Sequence, residues 1–299
     1  FTVTAVTENS AYSGTAVYNF DISYKITPRF FLSAETVDQG SALVVYGENL
    51  LEDMPVSVSV AFSYSPSVIR RGTKMYSIIP FNYKREAGEA AVTVTYGEGE
   101  TVQLNYTVAA IEFPSDYEEQ EITVSDETAA ATINNSAAYT EYNKLVAELA
   151  KISDEEVYWT GRFIQPCDGT VTSDYAYTRY LNGKAGSTHA GVDLACDEGT
   201  PVCASNSGRV IYSGELQMSG NTVIIEHGNG LQTKYLHMSA RNVETGEMVV
   251  QGQQIGAVGM TGLATGPHLH FEVDVSGACI SPWPLLDGTS PIYKIQDFQ

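Results

Sequence analysis

His268-Leu269-His270-Phe271-Glu272-Val273-Asp274-Val275 alternates polar and apolar residues without a break. Successive side chains of an extended chain point to opposite faces. His268, His270, Glu272 and Asp274 therefore share one face of a strand, and Leu269, Phe271, Val273 and Val275 share the other. The apolar face belongs to a core. The opposite face offers two imidazoles to one site, an odd choice for a surface that only meets solvent. Glu272 and Asp274, further along, are expected to meet solvent or to stand behind that site. Similar runs precede this one: Gly191–Ala195, Pro201–Ala204, Gly208–Ser213, Thr222–Glu226, Thr233–His237 and Gln254–Val258. Gly-containing turns such as Gly228-Asn229-Gly230 and Thr265-Gly266-Pro267 separate them. No helical periodicity intervenes, so antiparallel sheet is expected from Trp159 onward.

All five histidines lie in this half: His189, His227, His237, His268 and His270. Histidine is the commonest metal ligand and the usual general base near neutral pH. His189-Ala190-Gly191-Val192-Asp193 places an imidazole and a carboxylate four residues apart, on one face of an extended chain. That ligand pair suits Zn²⁺. The helical HExxH of another zinc-peptidase class is absent. Tyr235-Leu236-His237-Met238 puts a further histidine at a strand end. A lone histidine there is more often structural, and an isolated HxxxD recurs by chance.

Together the three elements resemble the LytM/lysostaphin-type zinc peptidases. The resemblance covers roughly the last 140 residues and extends to Gly199-Thr200-Pro201-Val202, Gly208-Arg209-Val210, Ile224-Ile225-Glu226-His227-Gly228 and Gly252-Gln253-Gln254-Ile255-Gly256. It implies one zinc per chain on His189, Asp193 and His270, with His237 and His268 beside the open fourth position. It implies a structural or surface role for His227. Arg179 and Asn221 match positions that line the groove in such proteins and are candidate substrate contacts. The family often has glycine where this chain has Ala176. The implied reaction is hydrolysis of a peptide bond in bacterial peptidoglycan, in the stem peptide or the cross-bridge. The implied place is outside the cytoplasm, secreted or associated with the wall or membrane, in a Gram-positive bacterium. A catalytically silent or autoinhibited wall-binding relative is the alternative. An adhesion protein whose N-terminal half is the working part is a second.

That N-terminal half also reads as β structure. Ala91–Tyr96 and Thr101–Tyr106 alternate on either side of Gly97-Glu98-Gly99-Glu100, the pattern of a hairpin. Ala42–Tyr46, Val56–Val60, Met75–Phe81 and Ile122–Val124 are further strand candidates. Short strands with turns suggest an immunoglobulin-like β-sandwich over 29–125. Phe31-Leu32-Ser33 and Gln39-Gly40 more loosely resemble modules that precede such peptidases in Gram-positive bacteria. Residues 1–28 add two strand-like runs that either extend the sandwich or come from an upstream module. Over 126–158 a helical linker is expected. Asn135 or Ser136 can cap it, and Tyr139, Tyr142, Leu145, Val146, Leu149 and Ile152 form one stripe. The fold expected is thus mostly β: sandwich, helical linker, and an antiparallel peptidase domain over 159–299.

The net charge is −20, and residues 1–160 hold 23 acidic against 9 basic side chains. Such a surface repels nucleic acid and anionic membranes, which bind through Lys and Arg. No apolar run of 18 residues exists, so no transmembrane helix is expected, although the start at Phe1 is compatible with removal of a signal or anchor. The four cysteines, Cys167, Cys196, Cys203 and Cys279, lack CxxC spacing. They are either free thiols or two bridges, for which Cys196–Cys203 across a hairpin leaves Cys167–Cys279.

Overall fold

The structure, a computed structural model, describes residues 2–6, 15–19, 26–114 and 117–298. Thr2–Val6 and Thr15–Asn19 pair antiparallel as a two-stranded sheet of their own. Two four-stranded sheets follow. One runs in the order Thr36–Asp38, Glu100–Ala109, Gly88–Tyr96, Val56–Ser59, and the other Arg29–Leu32, Ser41–Glu48, Lys74–Phe81, Ile69–Arg71. Leu43, Val45, Met75, Ile79 and Phe81 meet Val92, Val94, Tyr106 and Val108 between them. The expected hairpin forms with Tyr96 paired to Glu100. Its three-residue loop turns through Gly97 at φ +60°, a left-handed conformation that glycine adopts without a Cβ clash.

The second sheet is buried on both faces. Alternation sends Leu43 and Val45 into the sandwich and Ala42, Val44 and Tyr46 outward, yet all five are buried. Ala42, Val44, Tyr46, Tyr76 and Ile78 share a continuous core with Val192, Leu194, Tyr235, Phe271 and Val273 of the C-terminal half. The chain's end, a 3₁₀ segment Pro291–Phe298, returns to this junction, where Phe298 packs on Tyr46 with ring centroids 4.4 Å apart. The two halves are therefore joined through side-chain packing as well as through the linker.

The linker contains helices Asp126–Ala131 and Ser136–Leu149. Asn135 caps the second, its Oδ1 accepting from the backbone N–H groups of Ala137 and Ala138. Leu145, Leu149 and Ile152 of the anticipated stripe pack on Ile211, Tyr212 and Ile224 of the large C-terminal sheet. Gln232 donates to the carbonyls of Leu149 and Ile152. One expected strand is displaced. Gln120–Ile122 replaces Ile122–Val124 and lies outside the sandwich, pairing parallel to Thr178–Leu181. Gln120–Ile122 is thus strapped onto the C-terminal half.

The large sheet runs Thr170–Ser173, Val192–Ala195, His268–Val275, Leu231–Met238, Gly220–Glu226, Gly208–Leu216, Met248–Val249, and Ala278–Ile280 also pairs with His268–Val275. Every pairing in it is antiparallel, as the alternation implied. The short helix Trp283–Asp287 and the 3₁₀ segment after it carried too few turns to show a helical period.

Candidate metal centre

The site forms where three strands run side by side. Pairing sets Asp193 opposite His270, and His270 opposite Leu236, one residue before His237. His189 lies just before Val192–Ala195, and Gly191 lets that chain approach its neighbour closely. A Cβ at position 191 would sit 2.9 Å from the Phe271 carbonyl carbon.

His189 Nε2, Asp193 Oδ1 and His270 Nδ1 converge. His189 Nε2 is 2.9 Å from His270 Nδ1 and 3.1 Å from Asp193 Oδ1, and His270 Nδ1 is 2.7 Å from the same carboxylate oxygen. A tetrahedral zinc shell with ordinary bond lengths has ligand atoms about 3.3 Å apart. A small outward breathing of the three side chains would meet that spacing. Two imidazole nitrogens and one carboxylate oxygen are also the donor types that zinc takes in open sites. The set fits a metal ion, and among the described residues it is the group of His, Cys, Asp and Glu close enough to hold one.

Each of these side chains is held from behind. His189 Nδ1 donates to the Asp174 carbonyl at 2.8 Å, with Ser173 Oγ at 3.1 Å. Asp193 offers its other oxygen, Oδ2, to the Arg179 guanidinium, which also donates to Ser173 Oγ at 2.6 Å. His270 Nε2 donates to Glu272 Oε1 at 2.9 Å. Burial tends to lower His270, but its bonds to Asp193 and Glu272 outweigh this and raise it to about 9. Burial lowers His189 to about 4 against the pull of Asp193.

His237 and His268 stand beside this group, their ring centroids 4.9 Å apart. His237 Nδ1 donates to the Thr261 carbonyl at 2.8 Å, and His268 Nδ1 to the Gly266 carbonyl at 2.9 Å. Both rings therefore keep Nε2 as the free basic nitrogen. His268 Nε2 lies 3.9 Å from Asp193 Oδ1. Burial, then the neighbouring imidazoles, lowers His237 to about 3, and burial lowers His268. His237 has φ +63°, a left-handed conformation that costs a non-glycine residue of order 1 kcal/mol and is characteristic of functional positions. Ala176 is likewise left-handed at φ +69°, which explains glycine as the common choice there in the resembling family.

The remaining candidates take one of their expected places or depart from it. Arg179 braces Asp193, its side chain only 15% exposed. Asn221 spends its amide on the carbonyls of Met238 and Ser239, while its Oδ1 accepts from Arg241 Nε. It holds the turn that follows His237. His227 is buried between the Ser207 carbonyl and Thr233 Oγ1, a structural histidine and not a surface one. Glu272 and Asp274 do not meet solvent; both are buried against Lys234. All four cysteines are free thiols. The near pair is Cys167 with Cys196, sulfurs 3.3 Å apart, in place of Cys196 with Cys203. Cys279 lies by Glu272, on the short strand that pairs with the end of His268–Val275. Ser173, Asp174 and Thr261 escaped the sequence reading because two of them act through backbone carbonyls. Lys234 was legible as the one charge in the otherwise uncharged run Leu231–Met238, apart from its histidine.

Fold and site together present a His/Asp/His group that could hold a metal ion, with two further imidazoles beside it. Residues 187–282 match the model of Peptidase family M23. Peptidoglycan DD-endopeptidase ShyC of Vibrio cholerae is 49% identical over 94 residues, which cover 31% of this chain and 22% of that protein. DD-carboxypeptidase/endopeptidase Mpg of Neisseria meningitidis is 39% identical over 112 residues, 38% of this chain and 26% of that protein. The chain thus spans about a quarter of the length of these relatives. The crystal structure of a peptidase-M23-like protein from Pseudomonas aeruginosa superposes with TM-score 0.55 at 22% identity over 82% of this chain and 92% of that one. The overall fold, beyond the M23 domain, therefore recurs in a solved structure.

Proposed function

We propose that this chain is a zinc-dependent endopeptidase that hydrolyses peptide bonds of bacterial peptidoglycan, in the stem peptide or the cross-bridge. The observation that carries the proposal is the convergence of His189 Nε2, Asp193 Oδ1 and His270 Nδ1 beside two imidazoles whose Nε2 atoms are free. The substrate class rests on the relatives named as peptidoglycan DD-endopeptidases. Zinc held by the three ligands would supply Lewis acidity, polarising the scissile carbonyl and making a water acidic near neutral pH. The chain's own contribution follows from its hydrogen bonds. Carbonyl acceptors on Nδ1 fix the tautomers of His237 and His268, so that one Nε2 takes a proton from the attacking water and the other serves the tetrahedral oxygen or the leaving amine. Arg179 keeps the Asp193 ligand in place. Arg179 and Asn221 act on substrate indirectly, through Asp193 and the His237 turn. Such a substrate places the enzyme outside the cytoplasmic membrane; among the described residues no helix is long and apolar enough to cross one.

The test separates ligand from proton carrier. His270→Ala should lose zinc and turnover together, whereas His268→Ala should keep one zinc and lose turnover. Retention of zinc by His270→Ala with its loss from His268→Ala would refute the assignment.

A further inference from the structure

Behind His270 the same strand face continues into a buried charged cluster that no part of the reaction uses. Pairing sets Lys234 opposite Glu272 and Gln232 opposite Asp274. Lys234 Nζ lies 3.1 Å from Glu272 Oε2 and 2.6 Å from Asp274 Oδ2. Lys234, Glu272 and Asp274 are 2%, 5% and 0% exposed. Glu272 turns its other oxygen to His270 Nε2, at 2.9 Å. A linked row therefore runs inward from the open site, His270, Glu272, Lys234 and Asp274, and Gln232, opposite Asp274 in the pairing, donates to the carbonyls of Leu149 and Ile152 at the linker helix.

Stability does not account for this arrangement. Removing three charges from water costs several kcal/mol per ion, and well-packed apolar residues serve a core as well or better. The composition of the cluster is informative instead. Two carboxylates share one lysine, which leaves surplus negative charge, and the carboxylate nearer the site bonds the ring nitrogen opposite the converging ligand atom. A carboxylate there fixes the ring's tautomer and orientation and makes its other nitrogen a better donor to a cation.

We propose that Glu272, anchored by Lys234, is a positioning residue that holds His270 with Nδ1 turned into the metal site and strengthens its hold on the metal. Lys234 supplies the anchor by fixing Glu272 Oε2, so that Oε1 has one direction left. This rests on the reading of His189, Asp193 and His270 as ligands, and the experiment keeps the two apart. Full-length wild type and His189→Ala are titrated with zinc against a chromogenic chelator; one zinc on the wild type and weak binding by the variant establish the site. Glu272→Gln, which keeps an acceptor but no charge, should then bind zinc about tenfold more weakly, and Glu272→Ala up to about a hundredfold. Both should shift the visible bands of the cobalt-substituted protein. If the alanine variant does not fold, the glutamine variant decides. Wild-type zinc affinity and unchanged cobalt bands in Glu272→Gln, even with a lowered melting temperature, would overturn the proposal and leave the pair a packing feature. Failure of the wild type to bind zinc would refute the ligand assignment instead.

Discussion

Gly191→Ala is a one-carbon change that should damage the metal site without touching a ligand. Gly191 is buried between His189 and Asp193. Its φ lies outside the left-handed region, so conformational freedom is not what the position needs. The reason is space. A Cβ there would lie 2.9 Å from the Phe271 carbonyl carbon and 2.9 Å from Glu272 Cγ, and nearer still to the Phe271 oxygen. Comfortable carbon–carbon contact begins near 3.5 Å, so the strand must retreat by about 0.6 Å or more. Phe271 is backbone of the His270 strand and cannot swing aside. Overpacking of this kind costs about 1–3 kcal/mol. The displacement is also several times the roughly 0.2 Å tolerance of a zinc–ligand distance. We expect a melting temperature lower by about 2–5 °C and zinc affinity reduced at least about tenfold. Gly266→Ala is the control, since a Cβ at Gly266 meets nothing within 4 Å although the residue is two positions from His268. Differential scanning calorimetry and chelator competition on both variants read the effect. Wild-type melting and zinc affinity in Gly191→Ala would refute the argument that backbone contact sets the ligand spacing.

Two further perturbations probe the joints around the site. Burial pushes the Glu226 carboxyl up from 4.5 to about 7. Between those values the folded state holds a proton that the unfolded state has released, so stability is full below pH 4.5 and declines as pH rises toward 7, by about 3 kcal/mol at most. Urea unfolding at pH 5 and pH 8 should show this decline in wild type and its near absence in Glu226→Gln; equal declines in both would refute it. Tyr76→Phe removes the hydroxyl that donates to Asn229 Oδ1 across the junction of the two halves. Leaving that buried acceptor unpaired should cost about 1–3 kcal/mol in chemical unfolding, and an unchanged unfolding free energy would show that the bond is not formed in solution.

The strand His268–Val275 was readable to the residue because a period of two states both the conformation and the face. The four site histidines and the aspartate came together through the resemblance of three such elements to the LytM/lysostaphin-type peptidases, since neither alternation nor spacing alone marks His237. What lies behind them was less legible, since a strand's sequence names its faces but not its neighbours. Glu272 reads either as solvated or as standing behind the site, and pairing with Lys234 opposite it decides between them. The Ser41–Glu48 run is nearly all apolar, and only the structure shows the reason: one face serves the sandwich and the other the C-terminal half. Arg179 looked available to a substrate because nothing in the sequence reveals that Asp193 has a second oxygen to satisfy. Cysteine pairing depends wholly on tertiary proximity, and sequence separation misjudged it.

The most direct test of the account is digestion of purified peptidoglycan by the zinc-loaded full chain, with and without a chelator, with released fragments read by mass spectrometry. New amine termini at one class of peptide bond are expected, lost with chelator and restored by zinc. Intact peptidoglycan in the presence of a chain shown to carry one zinc would contradict it.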